Sequence, residues 1–313
     1  MQFNTLRDMV PLRDKIKVNM KIPLKVFRVI SSICITFLLG SCYSSVATRL
    51  VKSEGLGNQI KGKNILQIAW TAQGMDLMQE HEVYSVKMND HWRGLTGKIG
   101  TMWPDNDIDL SLKFAVGTFD GQVEFLSGKR KGDKVGLQSW ELYEIDNDSV
   151  VFAKKNDKKL VFALTATQYF MELVGRLKNA ELVTYAGEKK FNGKVYDLVF
   201  VTWGKIRKHK KDDQYLLWIN KETGLLEYCE YTVRDISFPG SLFTACIAYS
   251  DFRDIEGVKI PFKQYVFNGG PNTNLDKYLH RFALRSFTFD SFPKKELYPN
   301  GNMERLGDAK KKN

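Results

Sequence analysis

Apolar and polar positions alternate with a period of two through most of this chain, which predicts a mainly β protein. Val83-Tyr-Ser-Val-Lys-Met, Ile108-Asp-Leu-Ser-Leu-Lys-Phe and Gln122-Val-Glu-Phe-Leu alternate, and Val135 to Tyr143 and Ser149 to Ala153 add further short strands bounded by Gly, Asn or Asp. Two stretches instead repeat at three and four residues. Ile60, Ile65, Leu66, Ile68, Ala69 and Trp70 predict a helix over Gln59 to Gln73, with Gly74 placed to end it. Tyr169, Phe170, Leu173, Val174 and Leu177 predict a second over about Thr167 to Lys178. A run of hairpins follows. Phe191-Asn-Gly-Lys194 is a tight-turn signal, because Asn-Gly tolerates the positive φ that such turns require. Asn220-Lys-Glu-Thr-Gly224 and Asp254-Ile-Glu-Gly257 separate further strand pairs, and Arg281 to Phe289 reads as the last strand.

Val195-Tyr-Asp-Leu-Val-Phe-Val-Thr-Trp203 is apolar on both faces, with Val195, Val199, Val201 and Trp203 on one and Tyr196, Leu198 and Phe200 on the other. A sheet with one face in water alternates, so both faces here are either covered or face an apolar cavity. Trp70, Trp203 and Trp218 are candidate lining residues for such a cavity, or plain core.

Near the N-terminus, a short apolar run from Val26 to Leu39 follows Lys21, Lys25 and Arg28 and ends in Leu39-Gly-Ser-Cys42. A membrane-spanning helix needs about 20 apolar residues, so this run fits the h-region of a signal peptide instead. Leu39-Gly-Ser-Cys42 resembles the lipobox of bacterial lipoproteins, which implies that Cys42 is diacylated on sulfur and becomes the mature N-terminus, holding the protein to a membrane. Met20 opens a compact basic n-region, so residues 1–19 are expected to lie outside the true coding sequence and 20–41 to be the signal. Residues 42–57 are small and polar and read as a tether. No change of composition divides 58–298, which predicts one domain, and 299–313 read as a polar, basic tail.

The chain of 313 residues carries a formal charge of +11. The first 41 residues hold seven Lys/Arg and two Asp/Glu, so a chain starting at Cys42 keeps only +6. Its cations are interspersed with acids, as in Lys129 to Lys134 and Lys205 to Asp213, which reads as solvated loops rather than a nucleic-acid surface, with weak attraction to anionic lipid headgroups as the alternative. Cys229 and Cys246 flank Ile236-Ser-Phe-Pro-Gly240. They are either a cross-strand disulfide or two small buried hydrophobes, and a register shift of one residue decides between them. His81, His91, His209 and His280 form no ligand spacing, so no metal or other cofactor is expected. There is no Gly-x-Ser-x-Gly elbow, phosphate loop or His-Glu-x-x-His, and Asp105, Asp107, Asp109, Glu141 and Glu144 read as solvated carboxylates, so no enzyme is expected.

Three hairpins carry a family resemblance. Leu217-Trp-Ile-Asn-Lys-Glu-Thr-Gly-Leu-Leu226 resembles the "D-x-x-T-G-L" element of the LolA/LolB-like lipoprotein carriers, with Asn220 in place of Asp. Tyr249-Ser-Asp-Phe-Arg-Asp-Ile-Glu-Gly-Val-Lys-Ile-Pro-Phe262 is similar to their "Y-x-D-F-R-x-V-D-G-x-x-x-P" hairpin, and Tyr185 to Tyr196 to the preceding "G-E-x-x-x-x-G-x-x-Y" one. The resemblance implies a mainly β (α+β) fold, a strongly curved antiparallel half-barrel wrapped over one or two helices, with an apolar pocket for acyl chains. It is to lipid-anchored bacteroidete lipoproteins of unknown role, more than to a dedicated carrier, since Gly94 to Ala163 is a long departure. In such lipoproteins an acidic cluster after the cysteine marks surface export. Tyr43-Ser-Ser-Val-Ala stands there instead, implying an outer-membrane anchor facing the periplasm. The expected partners are the membrane through Cys42, an acyl chain or other lipid, and, as an alternative function, envelope proteins docked on the curved sheet.

Overall fold

Thirteen strands form a single antiparallel sheet in the order β6-β5-β4-β3-β2-β1-β13-β12-β11-β10-β9-β8-β7. The computed structural model describes residues 44–47, 55–147, 149–207, 211–234 and 244–307, and Tyr43–Asn313 makes up one compact unit. The signal and Cys42 lie outside the described residues. In chain order the strands are β1 (Val83–Trp92), β2 (Asp107–Ala115), β3 (Gly121–Phe125), β4 (Lys134–Gln138), β5 (Glu141–Asp146), β6 (Ser149–Phe152), β7 (Leu182–Phe191), β8 (Lys194–Thr202), β9 (Gln214–Asn220), β10 (Leu226–Thr232), β11 (Thr244–Ile255), β12 (Val258–Asn268) and β13 (His280–Phe289). Two meanders thus run outward from the central β1–β13 pair, with Met88 opposite Leu284. β6 and β7 end the order without pairing each other, so the half-barrel is open.

The hairpins form where the turn residues placed them. Asn192 and Gly193 take φ of 47° and 78°, and Glu256 and Gly257 take 54° and 86°, the left-handed pair that suits a two-residue turn to twisted strands. Ser139 and Trp140 make a third such turn, at 47° and 69°, dividing Val135 to Tyr143 into β4 and β5.

Helix α1 (Leu56–Ala72) ends as its sequence predicts, with Gly74 left-handed at φ 69°. The one-turn α2 (Met75–Met78) follows, and α3 (Gly94–Gly100) leaves the end of β1. The second predicted helix differs. It starts earlier, as α4 (Lys158–Met171) capped by the Asp157 carboxylate on the Lys159 amide, and breaks at Glu172 before α5 (Leu173–Leu177). The early turns were missed because Lys158 to Ala166 adds no clear polar stripe to the pattern. The chain passes through α4 and α5 from one edge strand, β6, to the other, β7.

Helices and sheet share one apolar core. Ile65, Leu66 and Trp70 of α1, Leu160 and Leu164 of α4, and Leu173, Val174 and Leu177 of α5 pack with Tyr84, Leu110, Val199, Leu217, Ile247 and Phe282 on the inner face. Where α1 crosses β7, a Cβ on Gly62 would lie 2.7 Å from the Thr184 carbonyl carbon and the Tyr185 nitrogen, so only glycine permits that approach.

The outer face of the sheet is covered at two places. Leu182, Ala186, Tyr196, Leu198, Phe200, Leu216 and Trp218 form one cluster with Val46, and Val83 and Ala115 form another with Phe292, Leu297 and Tyr298. Segments that read as tether and tail are thereby docked in part. Val46 is 4% exposed, and beyond residue 298 the Asn300 and Glu304 carbonyls accept from Gln138 Nε2 and Ser139 Oγ.

Candidate functional site

On the inner face, strands from both meanders meet the helices α1, α4 and α5. Strand parity decides what lines it. In β9, Tyr215, Leu217 and Ile219 turn inward and Leu216 and Trp218 outward. Of the three tryptophans expected to line a pocket, Trp70 lies inside, against α5, with the Lys178 ammonium 3.7 Å from its ring centroid. Trp203, half-buried, packs on the same core, its ring 6.2 Å from Tyr215. Trp218 does not join them. It sits on the outer face among Phe191, Tyr196 and Tyr228 and donates to Glu230 Oε1 at 2.9 Å.

The two cysteines take the second of their alternatives. Cys229 stands opposite Ile247 and Cys246 opposite Glu230, so adjacent strands carry the thiols on opposite faces. Both are free and buried, and burial pushes both thiols well up from their ordinary range.

Two buried polar clusters stand out in the interior, and of their members only His280 was singled out in the sequence, as a histidine without ligand spacing. At the α4–α5 break, Glu172 accepts from Tyr84 Oη (3.0 Å), Gln168 Nε2 (3.0 Å) and the Gly117 amide (3.1 Å). It pairs with Arg176 at 2.8 Å, both side chains being nearly inaccessible. Arg176 in turn donates to the Thr118 carbonyl and stacks 4.1 Å from the Phe119 ring centroid. This knot ties the helical crossover to the β2–β3 turn. Burial raises the Glu172 carboxyl above its ordinary range, with Arg176 opposing. Gln168 Oε1 and Arg176 Nε are buried there without a hydrogen-bond partner, as is Oε1 of Gln264, whose Nε2 meets the Met171 sulfur at 3.3 Å.

At the far end of β1, Asp90 is fully buried and accepts from Trp103 Nε1 at 3.1 Å. His280 Nε2 lies 2.9 Å from both of its carboxylate oxygens, and the imidazole stacks on Trp92 at 3.9 Å. Both residues were legible in principle. Asp90 follows Tyr84, Val86 and Met88 on the inward parity of β1, and His280 precedes Phe282 and Leu284 on that of β13. Beyond this pair lies α3, with Leu95 76% and Ile99 74% exposed. Among the described residues there is no group of three or more metal-ligating side chains, and no helix long and apolar enough to cross a membrane.

These features define an open antiparallel half-barrel whose inner face is held against its own helices, the fold that the hairpin motifs implied. No family model and no curated protein matches the chain. Among solved structures it is similar to a LolA superfamily protein from Nitrosomonas europaea, at 11% identity and a TM-score of 0.46 over 74% of this chain and 96% of that one. It is also similar to a DUF1329 family protein from Desulfovibrio piger, at 12% identity and a TM-score of 0.48 over 78% and 98%.

Proposed function

We propose that the protein is a lipoprotein, acylated at Cys42 and held in the outer membrane facing the periplasm, that binds an acyl chain or similar apolar ligand between sheet and helices without catalysing a reaction. The observation that carries this reading is the exposed apolar face of α3 beside the interior. Next to the β1–β13 end of the interior, past the buried Asp90–His280 pair, a short helix keeps Leu95 and Ile99 in solvent. Exposed leucine and isoleucine beside an apolar interior suit a mouth through which an apolar chain passes. Each methylene buried inside contributes about 0.8 kcal/mol, enough for binding by burial alone. The test is mass spectrometry of lipids that co-purify with a Cys42→Ser variant lacking the signal. Bound acyl chains are expected, and their consistent absence overturns the reading.

A second reading rests on the near-complete burial of the inner face by the protein's own helices. A closed interior suits a protein that docks envelope partners on its sheet. Recovery of one stoichiometric envelope protein with a lipid-free interior favours this reading over the first.

A further inference from the structure

The two edges of the sheet differ. β7 is crossed by α1 at Gly62. Among the described residues β6 pairs with β5 alone, with Tyr143 opposite Phe152 and Asp146 opposite Ser149. It leaves Val151 64% and Val150 40% exposed. Edge strands are ordinarily guarded by charge, proline or a bulge, and the four residues Ser-Val-Val-Phe carry none of these.

Hydrogen bonding fixes which groups this edge offers. The Ala153 amide donates to the Leu142 carbonyl at 2.9 Å, so Leu142 and Ala153 form a bonded pair at the end of the β5–β6 ladder. Bonded and non-bonded pairs alternate along an antiparallel ladder. Glu144–Val151 is therefore bonded too, and the N–H and C=O of Val150 and Phe152 turn away from β5. Asn156 then draws the chain back, its Oδ1 accepting from the Leu142 amide at 2.9 Å and its Nδ2 donating to the Trp140 carbonyl at 2.7 Å. The exit from β6 runs toward the β4–β5 turn and leaves the outward backbone groups clear.

Charge makes the edge complementary to itself. Its start lies beside exposed Asp146, and its end beside exposed Lys154 and Lys155. We propose that β6 is a dimerisation edge, on which β6 of a second copy of this chain adds antiparallel and joins two half-barrels in one continuous sheet. The two-fold register that uses all the outward groups of both strands sets Val150 opposite Phe152 of the second copy. Such a β-branched and aromatic pair stabilises a sheet. Val151 then meets its own counterpart on the axis, as a non-bonded pair with side chains closest. Each copy brings Asp146 to the lysines of the other, the self-complementarity that a two-fold interface requires. This dimer depends neither on acylation of Cys42 nor on a bound ligand.

The test uses the full-length chain in detergent solution. Sedimentation is expected to show a monomer–dimer equilibrium. Val151→Lys sets like charges against each other on the axis and is expected to weaken the dimer about tenfold at an unchanged melting temperature. Val151→Cys is expected to give an intermolecular disulfide on mild oxidation, mapped by mass spectrometry to residue 151 of both chains, because Cα atoms of a non-bonded pair lie about 4.5 Å apart. Val150→Cys is expected to give none, since its two copies lie on a diagonal, beyond the reach of about 7 Å that a disulfide allows. The cross-link reads the register even if the lysine variant misfolds. A chain that stays monomeric at every concentration, a dimer that a folded Val151→Lys leaves intact, or a cross-link at 150 in place of 151 overturns the proposal. A monomer that co-purifies with a foreign peptide paired along β6 gives the edge to another occupant and overturns it as well.

Discussion

At the scale of single residues, Glu172 concentrates the most electrostatic consequence. Its carboxylate is buried with Arg176 and takes three further hydrogen bonds. Removing one member of a buried ion pair leaves the other charge uncompensated, so Glu172→Ala is expected to cost about 3–5 kcal/mol in denaturant unfolding. The pH dependence has a definite sign. Burial raises the folded carboxyl above its ordinary value, so between those two values the folded state holds a proton that the unfolded state has lost. Stability then falls as pH rises through that interval. Glu172→Gln abolishes this component, and its unfolding free energy should gain on that of the native protein as pH climbs across the interval. A constant difference at all pH values refutes the assignment. The sequence carried a faint sign of this residue, a lone acid between Met171 and Leu173 on an otherwise apolar helical stretch. Its partners on β1 and the β2–β3 turn were not legible, because they come from distant parts of the chain.

At the scale of elements, the contact of α1 with β7 turns on one position. A methyl at Gly62 would meet the backbone of Thr184 and Tyr185, which cannot swing aside as a side chain end can. Gly62→Val is therefore expected to destabilise by about 1–3 kcal/mol through overpacking, read as a lower denaturation midpoint with an unchanged m-value. A midpoint equal to that of the native protein contradicts the close approach. The hairpins belong to this scale too, and they were read correctly because a tight turn is specified within a few residues. Asn192-Gly193 and Glu256-Gly257 adopt left-handed conformations, which asparagine and glycine admit at little cost and which the tight turn requires of Glu256. The α4–α5 crossover was read only in its second half. Its break falls at Glu172, where the crossover is tied to Gly117 and Thr118, a contact no local pattern encodes.

At the scale of the whole molecule, both ends of the folded unit are pinned to the outside of the sheet. Ser44–Ala47 close one outer cluster, and Phe292, Leu297 and Tyr298 close the other over Val83 and Ala115. Burial of such side chains contributes roughly 1.5–3 kcal/mol each. Truncation after Phe289 removes the last three and should lower the melting temperature markedly, with exposed apolar surface reported by dye binding. A truncated protein that melts with the full chain shows that the segment merely rests on the sheet. Charge follows the same logic at this scale. The run Lys205 to Asp213 reads as ordinary solvated loop in the sequence, and only the fold shows Gln214 bonding Ser45 on one side and the carbonyls of Lys205, Ile206 and Arg207 on the other.

What the sequence determined by itself is whatever a few consecutive residues settle: the hairpins, the end of α1 at Gly74, the two apolar faces of β8, and the short apolar run closing on Leu39-Gly-Ser-Cys42. Those features follow from turn geometry and from the periods of strand and helix, which act over one to a dozen residues. The tertiary structure alone decided which face of β9 is inside, and so that Trp218 lies apart from Trp70 and Trp203. It alone set β1 beside β13, the register that separates Cys229 from Cys246, and the burial of Asp90 under Trp103. These depend on side chains far apart in sequence meeting in one core. Their strength comes from burying shared apolar area and satisfying buried polar groups, neither of which exists until the sheet has assembled.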